Sequence, residues 1–127
     1  METTKRDFLG EFCNAISTYE GGVGDLNHRN NNPGNCRYFS GGYLPIYGVV
    51  KQDKNGFAIF KDWDTGMLYL ENMIKYKAIK RPTQTITQFM SIYAPFSDGN
   101  NPVMYADFIG KQLGVNPDIF TMGQVIA

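Results

Sequence analysis

Residues 8–22, FLGEFCNAISTYEGG, decide how the chain begins to fold. Phe8, Phe12, Ala15, Ile16 and Tyr19 recur at the three- and four-residue spacing that lines one face of an α-helix. Ahead of them, Thr4-Lys5-Arg6-Asp7 sets a hydroxyl three residues before a carboxylate, the form of a capping box. Behind them, Gly21-Gly22 is a stop signal, because glycine takes up the left-handed cap with no Cβ penalty. The expected helix therefore carries Glu20 in its last turn.

Downstream the chain changes character. Residues 22–55 are rich in Gly, Asn and Pro and contain His28-Arg29-Asn30-Asn31-Asn32-Pro33-Gly34-Asn35-Cys36-Arg37. Turn signals recur at Gly41-Gly42 and at Lys54-Asn55-Gly56. Between and after them, Tyr43 to Val50 and Gly56 to Phe60 read as short strands forming a hairpin. A loop of this length without such a sheet would be unusual in a compact domain.

Helices return beyond the hairpin. Asp62 is placed to cap one whose apolar face is Trp63, Met67, Leu70 and Ile74. Thr85-Ile86-Thr87-Gln88 is a second capping box, opening a short helix with Ile86, Phe89, Met90 and Tyr93 on one side and Pro95 as its stop. Asn101-Pro102 puts an N-cap before a first-turn proline, with Val103, Ala106, Ile109 and Leu113 following until Gly114. Asn116-Pro117 repeats that device for a last short helix. The order is one helix, a small sheet, then four helices. The expected class is α+β, mainly α, in a single domain over residues 1–127.

Composition narrows the function. Twelve Lys+Arg balance twelve Asp+Glu, with no Lys/Arg run expected on one element, so phosphate neutralisation is not the expected device and nucleic acid is not an expected partner. Residues 1–10 hold no apolar stretch of signal-peptide length, and no later run is long enough to span a bilayer, so no membrane partner is expected. Cys13 and Cys36 lie in different expected elements and are read as thiols rather than a bridge. With His28 as the one histidine and no close Cys/His spacing, no metal is expected, and His28 reads as a surface polar residue. The 8 Tyr, 9 Phe and 1 Trp suit a core, and their faces also suit sugar rings.

Glycoside cleavage needs an acid that stays protonated near working pH, because a departing sugar oxygen is a poor leaving group. A free glutamic acid, with a pKa of about 4.3, would be ionised. Burial beside apolar groups and the partial negative charge of a helix C-terminus both favour a carboxyl's neutral form. Most helix ends prefer Lys or Arg, so a Glu directly before Gly-Gly makes more sense if its acidity is used. Glu20 is accordingly the candidate acid.

A resemblance sharpens this. Tyr19-Glu20-Gly21-Gly22, Arg29-Asn30-Asn31-Asn32-Pro33-Gly34-Asn35, Gly56-Phe57-Ala58-Ile59-Phe60, Tyr93-Ala94-Pro95 and Asp98-Gly99-Asn100-Asn101-Pro102, taken in this order, resemble phage and prophage muramidases. These belong to the lysozyme-like superfamily, close to lytic transglycosylases, and the resemblance spans roughly Phe8 to Val115. It implies a lysozyme-like fold with a small β-hairpin lobe and a glycan groove between lobe and helices. It also implies cleavage of the β-1,4 link between N-acetylmuramic acid and N-acetylglucosamine in peptidoglycan, with Glu20 as the catalytic acid. Asn31, Asn32 and Asn35 are then expected to bind substrate through amides that match sugar hydroxyls and N-acetyl groups, the alternative for each being a turn residue bonded to its own backbone. Tyr93 is expected to offer a hydroxyl or a stacking face, and Arg37 a contact to substrate or to a carboxylate. No cofactor is implied, and a monomer is expected.

A second carboxylate is harder to place. Asp25 is the nearest in sequence after Glu20, in a Gly-rich turn; Asp62 and Asp64 look like helix starts, Asp98 like a turn, Glu71 like a helix flank. Lytic transglycosylases need one Glu only, and the missing partner favours that route over hydrolysis. Two other functions stay open: a catalytically inactive glycan-binding or virion structural module, and a chitinase-type hydrolase. Delivery to the wall is expected through a phage particle, a pore, lysis or a dedicated secretion machine.

Overall fold

The computed structural model describes residues 5–38, 49–94 and 100–127. It is mainly helical with one small antiparallel sheet, in the order α1 (Phe8–Glu20), α2 (Leu26–Arg29), β1 (Val49–Gln52), β2 (Ala58–Phe60), α3 (Trp63–Lys80), α4 (Ile86–Tyr93), α5 (Pro102–Leu113) and α6 (Met122–Ile126). The chain packs as two compact units, with boundaries inside α1 after Ala15 and inside α3 after Ile74.

The first unit holds the start of α1, the end of α3, and α4 to α6. Asp7 opens α1, its Oδ1 accepting the Gly10 N–H at 2.9 Å; Thr4 of the expected box lies outside the described residues. Arg6 makes a two-toothed ion pair with Glu11 and donates to the Leu113 carbonyl. Phe12 is fully buried and meets Phe89 edge-on, with ring centres 6.1 Å apart. The expected box at Thr85 forms in full, its hydroxyl taking the Gln88 N–H while Gln88 reaches back to the Thr85 N–H. It buries Ile86, Phe89 and Met90; Pro95 lies outside the described residues.

Helix α5 is capped by Asn101 and stopped by Gly114 in the left-handed region, as the sequence suggested. Its buried stripe is Pro102, Tyr105, Ala106, Ile109, Gly110 and Leu113, whereas Val103 is 62% exposed. Ala106, Ile109 and Leu113 are buried as expected; Tyr105, the larger residue, is enclosed in place of Val103. The Asn116-Pro117 pair opens a turn, not a helix. Asn116 Oδ1 accepts the Asp118 N–H, and its carbonyl accepts from Ile119 and Phe120. The last helix starts later, from a capping box of Thr121 and Gln124. The two boxes lie side by side, with Thr85 bridged to Thr121, Ile86 donating to the Phe120 carbonyl and Met122 to that of Gln84.

The second unit holds the end of α1, α2, the hairpin and most of α3. The hairpin is present. β1 ends at Gln52, two residues past the expected limit, and residues 43–48 of the expected strand lie outside the described residues. The turn belongs to Asp53: its Oδ1 accepts the N–H groups of Asn55 and Phe57, while Gly56 takes a φ of 87°. Asp62 caps α3 through the Thr65 N–H. Leu70 and Ile74 are fully buried, and Trp63 and Met67 only half so. Tyr19, expected on the hidden face of α1, is 37% exposed; Ile16 fills that place at 0%.

Candidate functional site

Glu20 is the last residue of α1 and half-buried. The helix does not end through a left-handed glycine, since neither Gly21 nor Gly22 has positive φ. Asp25 makes the turn instead, its Oδ2 accepting the Gly22 N–H at 2.8 Å. Gly21 is required by crowding: a Cβ there would lie 2.8 Å from both Asn27 Oδ1 and Asp25 Cβ. Gly21 thus helps to stop the helix by allowing close return of the chain.

That return is held by Asn27, a buried residue that no sequence signal singled out. Its Nδ2 donates to the Ser17 carbonyl in α1 (3.2 Å) and to that of Pro33 (3.1 Å), and its carbonyl accepts the Asn32 N–H at 2.7 Å. One side chain therefore joins the end of α1 to the asparagine-rich loop. His28 also belongs to this assembly and not to the open surface, stacked on Trp63 with ring centres 4.2 Å apart.

The loop asparagines divide by role. Asn32 is 1% exposed, and both its N–H donors are used, on the carbonyls of Cys36 (2.8 Å) and Ala58 (2.9 Å). Its Oδ1 accepts the Cys36 N–H at 2.9 Å. Such an amide has no donor left for a sugar. Asn30, buried, donates to Asp53 Oδ2, and Asn31 donates to the Phe60 carbonyl from a left-handed backbone with φ of 51°. These three fasten the loop to the hairpin. Asn35, also left-handed at φ 48°, turns the other way and donates its Nδ2 to Glu20 Oε1 at 3.2 Å. Its own Oδ1 is buried with no hydrogen-bond partner among the described residues. Comparison of the chain with protein-family models, curated proteins and solved structures finds no match in any of the three.

Of the expected site residues in the second unit, Asn35 donates its side-chain amide to Glu20. Arg37 is exposed and occupied on the hairpin, with its guanidinium 4.6 Å from the Phe57 ring centre and Nη1 donating to the Asn55 carbonyl. Tyr93 ends α4 in the other unit, stacked on Phe89 with Lys77 above its ring at 5.9 Å. Among the carboxylates of the second unit, Asp25 accepts from Gly22, Asp53 from three N–H groups, and Asp62 from Thr65. Hydrogen bonds to the Phe57 N–H above all, and to Asn30, Asn55 and Gly56, hold the Asp53 carboxyl below its usual pKa. Each of these three has a structural duty.

Among the described residues no cluster of His, Cys, Asp or Glu is arranged to hold a metal, and no helix is long and apolar enough to cross a membrane. Cys13 and Cys36 are both buried thiols. Two structural residues, Asp53 and Gly66, carry signals readable in the sequence. Asp53-Lys54-Asn55-Gly56 has the form of an Asx turn, and Gly66 is an isolated glycine in a helical run. The latter marks close packing: a Cβ on Gly66 would collide with the Asn31 carbonyl oxygen.

Proposed function

We propose that this chain cleaves the glycan strands of peptidoglycan at the β-1,4 bond between N-acetylmuramic acid and N-acetylglucosamine, with Glu20 as general acid. The observation that carries the reading is the Asn35 contact to Glu20. A carboxyl at a helix end is otherwise an ordinary solvated group; here a loop built on Asn27 and Asn32 delivers an amide donor to one of its oxygens. That contact orients the carboxyl group, and orientation is part of the preorganisation that acid catalysis requires.

In the proposed reaction the Glu20 carboxyl gives its proton to the bridging oxygen as the C1–O bond breaks. The carboxylate that results then takes the proton of the muramic acid's own hydroxyl as that oxygen closes onto C1. One new C–O bond replaces the old, Glu20 is reprotonated, and no water or redox partner is consumed. Asp25, the candidate second carboxylate, already holds the Gly22 N–H, which favours this single-carboxylate route over a hydrolysis that needs a second acid to hold water or attack C1.

Clearing of purified peptidoglycan tests the reading. Wild type is expected to clear it, with anhydro ends in the products by mass spectrometry, and Glu20→Gln to fall by a factor on the order of a hundred or more. Asn35→Gly, which suits φ near 48° while removing the amide, should keep the fold and lose part of the rate. Equal clearing by wild type and Glu20→Gln would remove Glu20 from the role. Reducing ends would replace transglycosylation with hydrolysis.

A further inference from the structure

The C-terminal half of α3 departs from the expectation that no cations gather on one element: Lys75, Lys77, Lys80 and then Arg81 fall within seven residues. Three of them, Lys77, Lys80 and Arg81, line a cavity of about 200 Å³ in the first unit, together with Gln84, Phe89, Ile92 and Tyr93. The ion pairs among the described residues are Arg6–Glu11 and Lys111–Asp107, so none of the three cations has a carboxylate partner there. Cations near a helix C-terminus offset its dipole. That accounts for their sign but not for a cavity between them.

Gln84 supplies a second, independent observation. Its Oε1 is buried with no hydrogen-bond partner among the described residues, although its backbone is bolted on both sides, N–H to the Arg81 carbonyl and carbonyl to the Met122 N–H. A buried acceptor without a donor is costly, and a hydroxyl reaching it would relieve that cost. The far wall is apolar and aromatic, with Phe89 and Tyr93 stacked at 5.9 Å and 15°. The N-terminus of α4 is not part of the anion field, because Ile86, Thr87 and Gln88 already donate to Phe120, Pro117 and Thr85.

The geometry points to a binding site for a phosphate monoester carried on a hydroxylated ring, such as a sugar phosphate. Lys77 Nζ stands 5.9 Å from the Tyr93 ring centre and Lys80 Nζ 4.4 Å from that of Tyr76. These two and Arg81 are exposed side chains without a carboxylate partner among the described residues, and all three can turn onto a group with three acceptor oxygens and a charge of about −1.5 to −2 near neutral pH. A carboxylate would leave most of that positive charge unanswered. The ring lies against Ile92 and Tyr93, and a ring hydroxyl reaches Gln84. This site is independent of the chemistry proposed at Glu20.

Titration of the full chain, followed by heteronuclear NMR, tests it with glucose 6-phosphate, inorganic phosphate, glucuronate and glucose as probes. Glucose 6-phosphate is expected to shift the amides of Lys80, Arg81, Gln84 and Tyr93 and to bind about tenfold or more tighter than the other three. Lys77→Ala/Arg81→Ala, both exposed positions, should weaken it by about tenfold or more. Unchanged affinity in that variant, or no shift at these amides, would overturn the site. Inorganic phosphate binding as tightly would overturn the ester, and glucuronate binding as tightly would overturn the phosphate.

Discussion

Replacing Asn32 by Ala should cost this protein about 3 kcal/mol, although its sequence context suggests a ligand-binding amide. Asn32 is 1% exposed and makes three hydrogen bonds of 2.8 to 2.9 Å, all to backbone. Without it the Cys36 N–H loses its acceptor inside the fold, at about 1–3 kcal/mol for a buried unsatisfied group. The Ala58 carbonyl loses one donor, adding on the order of 1 kcal/mol. The Cys36 carbonyl suffers less, since it keeps the Ala58 N–H at 3.0 Å. For a chain of this length about 3 kcal/mol is roughly 10 °C in melting temperature. Trp63, the one tryptophan, stacks on His28 in the same unit and reports the transition by fluorescence during urea or thermal unfolding. Asn32→Asp is the sharper control. It keeps the acceptor for Cys36 but sets a second oxygen against the carbonyls of Cys36 and Ala58, so at neutral pH it should be at least as damaging as Ala. A loss below about 1 kcal/mol for Ala, with Asp tolerated, would refute the assignment of this amide to the fold. It would return Asn32 to the list of groups available to a ligand.

Two further outcomes follow from the same unit. Gly66→Ala should destabilise by about 1–3 kcal/mol through overpacking against Asn31 and Pro33, outweighing the roughly 1 kcal/mol that alanine gains in helix propensity; a rise in melting temperature would show that the loop and α3 are not in contact. Asp53, whose folded pKa is depressed, contributes stability that is present above its unfolded pKa of about 3.9 and lost as pH falls through the folded value. The stability gap between wild type and Asp53→Asn should therefore be full at neutral pH and close in acid below about pH 4, and a gap that stays constant across that range would contradict the hydrogen-bond account of the turn.

The helices were legible because their signals are local. The Thr85–Gln88 box, the Asn101-Pro102 start and the Gly114 stop each act within one turn of backbone, and each formed as read. Asn116-Pro117 went the other way. The same dipeptide favours a helix start or a turn, and the neighbouring bond from Ile86 to the Phe120 carbonyl, a contact across thirty-four residues of chain, goes with the turn. Val103 and Tyr105 point to nearly opposite faces of α5, and only packing reveals that the bulkier ring is the one enclosed.

The site shows the same division more sharply. That Glu20 closes α1 is legible in residues 8–22 through their periodicity and Gly21-Gly22, but the means is not: Asp25 makes the turn, and Asn27 and Asp25 crowd Gly21. Which asparagine meets it does not, because Asn30, Asn31, Asn32 and Asn35 carry the same amide and differ only in where the folded loop points it. Tertiary structure sends three of them to the hairpin and Asn35 to Glu20, through left-handed turns at Asn31 and Asn35 and the buried strap of Asn27. A hydrogen-bonding group's identity is written in the sequence; its direction exists only once the chain has closed around it.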